Sequence, residues 1–141
     1  MPQSGLISLA RQLNEKLKPV GESTIDAGIR AEAETLLMSL LDAYASGTDA
    51  QRAAIRNLLR ENSAFAWATH VPHSASTAEG FRMHLLEVSA RWGIEDPRDL
   101  MLGLKESYEA ARAAGVNTQP ILSEIASLSE DSLADMLRRM R

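Results

Sequence analysis

Leucine-rich segments recur along the chain with apolar residues three and four positions apart, a spacing that places side chains on one face of an α-helix. In the first segment the apolar positions are Leu6, Leu9, Leu13 and Leu17. They predict a helix over residues 4–18 that ends before Pro19, since proline cannot continue a helix. This stretch is therefore expected to bury a single stripe of leucines.

A second and longer helix is predicted from a cap at Ser23 or Thr24 to Gly47, which is expected to adopt a left-handed conformation. Its apolar positions are Ile25, Ile29, Leu36, Leu37, Leu40, Leu41 and Tyr44. These residues provide enough apolar surface to form one wall of a core.

Thr48 and Gln51 have the spacing of a capping box, in which each side chain satisfies a backbone N–H of the other residue. They predict the start of a third helix. That helix is expected to break or bend near Asn62, and a short turn carrying Phe65 and Trp67 should follow.

Four more helices are predicted in the rest of the chain. A second capping-box pattern at residues 76–79 starts helix four, which ends at Gly93. Pro97 fits the first position of helix five, which ends at Gly115. The last two helices start near Thr118 and at residues 129–131. Packing as a core helix is favoured for the last one over a detachable amphipathic helix.

The sequence therefore predicts an all-α fold of about six or seven helices in one compact bundle. No segment of five or more residues alternates cleanly between polar and apolar positions, so no sheet is expected. A length of 141 residues with 45% hydrophobic residues suits one domain, over residues 1–141. The internal similarity is too weak to indicate a helical repeat.

Cysteine is absent, which excludes disulfides, zinc-thiolate sites and thiol nucleophiles. The chain shows no signal-peptide pattern and no apolar stretch long enough to cross a bilayer, so a cytoplasmic protein is expected, without a membrane partner. No common nucleotide, hydrolase or metal motif is present, and no cofactor is predicted.

Acidic residues are concentrated in one part of the chain. The formal net charge is −4, and residues 22–49 hold six carboxylates, among them Glu32 and Asp42, but only one basic residue, Arg30. This charge argues against nucleic acid as a partner. A helix-turn-helix around Gly93 is also disfavoured, because helix five has few donors for phosphates. The acidic segment is either a solvated face or a surface that attracts a basic partner.

Aromatic residues and histidines are concentrated in residues 65–92. This stretch holds four of the six aromatic residues and all three histidines, His70, His73 and His84. The spacing of the histidines matches no common helical metal pair, so no metal site is predicted. Phe65 and Trp67 lie two residues apart, and a regular helix could not turn both rings inward. One ring is therefore expected at the surface, where aromatic side chains often anchor a protein partner.

Two functions follow as hypotheses. The first is a small protein-binding domain, such as an inhibitor or an immunity-type protein that neutralises a toxin or effector through an acidic or aromatic surface. Its candidate binding residues are Phe65, Trp67, His70, His73, Glu32 and Asp42. The alternative is a metal-binding or enzymatic helical domain that uses the three histidines with Glu79 or Glu87. The first is preferred, with no catalytic residue assigned, and the oligomeric state is left open.

Overall fold

The all-α prediction is confirmed by a computed structural model that describes residues 3–17, 27–68 and 75–140. These residues form eight α-helices and no strand. The chain divides into two compact units, Met1–Val71 and Pro72–Arg141. The single domain expected over residues 1–141 stays a prediction. No described helix is both long enough and apolar enough to cross a membrane.

Unit 1 contains the first four helices. They are α1 (Gln3–Leu17), α2 (Ala27–Ser46), α3 (Asp49–Glu61) and α4 (Ser63–Ala68). Each of the four helices packs against the other three. The core between them is largely leucine, with Tyr44, Ile55 and Phe65 fully buried among the aliphatic side chains. Because α4 is a separate helix where only a turn was expected, the helix count exceeds the predicted six or seven.

A polar side chain ties α1 to the start of α4. Asn14 is buried, and its Oδ1 accepts a hydrogen bond of 2.9 Å from the backbone N–H of Phe65. The first N–H groups of a helix have no partner within the helix, so a side chain that reaches one of them stabilises the helix start. This bond explains how a helix of only six residues is held in place.

The connection between α2 and α3 confirms one prediction and corrects another. The Thr48 N–H donates to Gln51 Oε1 at 2.7 Å and the Gln51 N–H donates to Thr48 Oγ1 at 3.2 Å, which completes the predicted capping box. The left-handed conformation expected at Gly47 is wrong, because only Gly93 and Gly115 have positive φ among the described residues. Glycine is required at position 47 for space, since a Cβ there would lie 2.8 Å from the Ala43 carbonyl oxygen. The cap expected at Ser23 or Thr24 lies outside the described residues.

Unit 2 contains the other four helices. They are α5 (Ala78–Arg91), α6 (Pro97–Ala113), α7 (Thr118–Leu128) and α8 (Asp131–Arg139). Helix α5 packs against α6 and α7, and α8 packs against α7. Leu133 and Leu137 of α8 are buried, so the last helix contributes to the core as predicted.

The helix boundaries in unit 2 follow the predicted signals with one exception. Asp96 caps α6 through a 2.9 Å bond from the Arg98 N–H, with Pro97 in the first turn. The capping box expected at residues 76–79 is wrong by one position, because Thr77 is the cap and accepts from the Gly80 N–H at 3.0 Å. After α6, Gly115 takes φ 81° and completes a hydrogen-bonded C-terminal turn.

Candidate functional site

Four of the six predicted binding residues are not shown at a described surface. His70 and His73 lie outside the described residues, and the side chain of Trp67 does as well. Phe65 is 0% exposed, and its ring lies in the core of unit 1. In this position the Phe65 ring stabilises the fold and cannot contact a partner.

The other two, Glu32 and Asp42, are both exposed on α2. Each lines a cleft in unit 1 that is also lined by α1 residues. The two acidic residues of the predicted binding surface therefore lie at clefts, which the sequence pattern did not indicate.

The larger cleft is open and has a volume of about 460 Å³. Its lining residues are Leu6, Leu9, Leu13, Ala31, Glu32, Thr35, Leu36 and Ser39. Three leucines from α1 form one side, so most of the lining is apolar. The Thr35 hydroxyl donates to the Ala31 carbonyl oxygen at 2.9 Å. The hydroxyl hydrogen of Thr35 is therefore used within α2. Glu32 is the one charged residue among the described residues of this lining.

The second cleft continues the first one along α2. It has a volume of about 350 Å³ and shares Leu6 and Ser39 with the larger cleft. Its other lining residues are Asp42, Ala43 and Ser46. Together the two clefts form one surface, here called the α1/α2 groove, whose α2 side runs from Ala31 to Ser46. At a rise of about 1.5 Å per residue, the groove is about 22 Å long.

Leu9 is an exposed leucine in the groove, with 41% of its surface accessible. Leu6 and Leu13, on either side of it in the stripe, are buried. A single exposed leucine needs no functional explanation. Leu9, however, stands in a mostly apolar cleft, where a ligand could cover it together with its neighbours.

The electrostatic character of the groove is negative. Glu32 and Asp42 are its charged residues, and neither pairs with a basic side chain among the residues that the structure describes. Ten positions separate them on α2, which places them about 15 Å apart along the helix axis. The groove thus has an apolar α1 side, and its α2 side has one carboxylate towards each end.

Of the three histidines considered for a metal or catalytic site, His84 is the one that lies within the described residues. Its Nδ1 shares a hydrogen bond with the Ser107 hydroxyl of α6. Glu87, one of the two carboxylates considered together with the histidines, forms an ion pair with Arg91. Within the described ranges, no group of three or more histidine and carboxylate side chains could hold a metal ion. The convergence of the three histidines stays untested, because two of them lie outside those ranges.

Arg91, the last residue of α5, forms a buried ion-pair network that the sequence pattern did not indicate. Arg91 is 1% exposed, and its Nε donates to Glu87 Oε1 at 3.2 Å while its Nη1 donates to Glu95 Oε1 at 3.1 Å. Part of the signal was present in the sequence, because Glu87 and Arg91 are four residues apart and share a face of α5. The sequence could not indicate that Glu95, in the turn after α5, returns to Arg91, or that the guanidinium is enclosed.

A second ion pair in unit 2 joins α5 to α7. Arg82 donates from Nε and Nη2 to the two carboxylate oxygens of Glu124 at 2.8 to 3.1 Å. These bonds lower the pKa of Glu124, although partial burial acts in the opposite direction. Because both side chains are partly exposed, the pair is a modest contribution to unit 2.

Comparisons with known protein families, with curated proteins and with solved structures give no match. The function therefore has to be argued from the surface of the protein itself.

Proposed function

We propose that this chain is a protein-binding module and that it binds its partner through the α1/α2 groove. The observation that carries the proposal is an open, largely apolar groove containing the exposed Leu9, with the carboxylates of Glu32 and Asp42 towards its ends. Protein interfaces combine an apolar centre with a polar rim in the same way.

Covering the apolar surface of the groove is expected to contribute to the binding free energy of a partner. Covering a leucine side chain completely contributes about 1.5 to 3 kcal/mol, and Leu9 retains a substantial part of that in the free protein. Because α1 and α2 are already folded in the free protein, they lose little conformational entropy when a partner binds. More of the energy from apolar contact is therefore available for affinity.

The finer proposal is an inhibitor of the immunity type that acts in the cytoplasm on a toxin or effector protein. The net charge of −4 supports a partner with a basic surface and disfavours nucleic acid. A small acidic inhibitor could block a basic active site by covering it, and this role requires no catalytic group of its own.

The proposal is tested by capturing partners from the native host with the whole chain as bait. Leu9→Gln is the test variant, since glutamine forms helices well and removes the apolar contact. Leu102→Gln is the matched control, because Leu102 is an exposed helical leucine of unit 2, 58% accessible. A captured protein that is lost with Leu9→Gln and retained with Leu102→Gln supports the proposal.

The affinity of that partner should fall about tenfold for Leu9→Gln, measured by calorimetry. Equal binding by the wild type and both variants would contradict a role for the α1/α2 groove. For the finer proposal, the captured protein should arrest growth when expressed alone, and co-expression of this chain should restore growth.

A further inference from the structure

We infer that the ligand of the α1/α2 groove is a basic amphipathic helix of about four turns. This inference rests on the proposed function and adds the chemistry of the partner segment. It follows from three properties of the groove, namely the helices that form it, the leucines on its α1 side and the positions of its two carboxylates.

The helices that form the groove favour a helical ligand over an extended strand. A peptide that binds as a strand needs an exposed sheet edge to supply its hydrogen bonds, and the described residues form helices without any strand. A helix satisfies its own backbone groups and needs only side-chain contacts from the groove. A groove of about 22 Å matches about 15 helical residues.

The leucines on the α1 side of the groove favour an apolar stripe on that helix. Leu6, Leu9 and Leu13 lie three and four residues apart on α1, so their side chains follow one another along the groove. A partner helix with leucine-like residues at positions i, i+3, i+4 and i+7 would present a complementary ridge. Such a ridge would remove Leu9 from water.

The carboxylates set the positions of the positive charges on the partner. Glu32 and Asp42 are about 15 Å apart along α2 and are not neutralised by an ion pair within the described part of the chain. A helix lying along α2 would therefore carry Lys or Arg about ten residues apart, on either side of its apolar stripe. Other exposed acidic residues, such as Glu106 and Glu109 of α6, do not line either cleft.

The test uses three synthetic 15-residue peptides and the full chain, with binding followed by fluorescence anisotropy. The probe peptide contains leucine, alanine and lysine, with leucines at the spacing above and lysines ten residues apart. One control peptide has the same composition with its leucines distributed around the helix. The other control has glutamate in place of every lysine.

The inference predicts that the probe peptide binds at least tenfold more tightly than either control peptide. Glu32→Lys combined with Asp42→Lys should weaken probe binding about tenfold or more, because two favourable charge contacts become repulsive. Glu106→Lys combined with Glu109→Lys changes the net charge equally and should leave probe binding within about twofold.

Salt provides a readout that distinguishes the charge contacts from the apolar ones. Raising the salt concentration from 50 to 300 mM should weaken probe binding to the wild type several-fold, and it should not weaken the residual binding to the Glu32→Lys, Asp42→Lys variant. Circular dichroism should show that the probe peptide gains helix when it binds.

Several results would overturn the inference. Equal binding of the peptide with distributed leucines would mean that charge alone is recognised, and equal binding of the glutamate peptide would mean that charge has no role. If no peptide binds but the host partner still requires Leu9, the groove binds proteins by another mode and only this inference fails. If the host partner is insensitive to Leu9→Gln, the proposed function fails as well.

Discussion

Replacing Arg91 with methionine should destabilise the protein strongly. The guanidinium is buried and bonded to Glu87 and Glu95, at 3.2 and 3.1 Å. The Glu87 side chain is only 4% exposed, whereas Glu95 is partly accessible to water. Methionine keeps most of the volume and the helix propensity of arginine, so the main change is the loss of the positive charge.

The expected loss follows from the burial of Glu87. Removing one partner of a buried ion pair typically costs about 3 to 5 kcal/mol. Replacing both partners by apolar residues of similar size is often neutral or stabilising. The double variant Glu87→Leu, Arg91→Met should therefore regain most of the stability lost by Arg91→Met, and Glu95→Gln should cost less than about 1 kcal/mol.

Urea unfolding followed by Trp92 emission tests this prediction in unit 2, with Trp67 replaced by phenylalanine in every variant. With a slope of about 1.5 kcal/mol per molar urea, the midpoint for Arg91→Met should fall by about 2 to 3 M. A loss below about 1 kcal/mol for Arg91→Met would refute the reasoning. So would a double variant that is less stable than the Arg91→Met single variant.

Three further substitutions test other parts of the structure. Asn14→Ala should cost about 2 kcal/mol in urea unfolding, since it removes the buried hydrogen bond between the Asn14 side chain and the Phe65 N–H. Gln12→Ala on the exposed side of α1 should cost little. Gly115→Ala should cost about 1 kcal/mol, because a Cβ meets no atom within 4 Å and only the strain of the positive φ remains; no loss would argue against that conformation. Glu124→Gln should remove at most about 1 kcal/mol at pH 7. Arg82 lowers the pKa of Glu124 in the folded state. The contribution of the Glu124 carboxylate to folding stability is therefore complete above the unfolded-state pKa of about 4.3, and it is lost as the pH falls through the lower folded-state value. The difference between wild type and Glu124→Gln should therefore shrink as the pH falls below about 4, and a difference that grows there would contradict the cause given for the shift.

The sequence predicted the helices well where local signals set their ends. The capping box at Thr48 and the glycine after α6 at Gly115 act through neighbouring backbone groups, so sequence spacing was enough to find them. Helix α4 was missed because its start is stabilised by Asn14, which is distant in sequence. Gly47 was misjudged because its role is steric, and close approach to the Ala43 carbonyl cannot be seen in the sequence.

The candidate site could be predicted only in part. Glu32 and Asp42 were found through the excess of carboxylates, but the groove beside them depends on how α1 packs against α2. Leu9 was counted as part of the buried leucine stripe. At about 100° per residue, Leu9 is about 60° from the direction of Leu6 around α1, while Leu13 is only about 20° away. This displacement leaves Leu9 at the edge of the stripe, where it is exposed.

The carboxylates of the α1/α2 groove also bear on how the chain behaves without a ligand. Two copies that met through their grooves would bring Glu32 and Asp42 of both copies into one desolvated contact, where like charges repel. The same side chains that attract a cationic helix thus discourage self-association through the open apolar cleft. The groove can in this way attract a basic partner without promoting aggregation of the free protein.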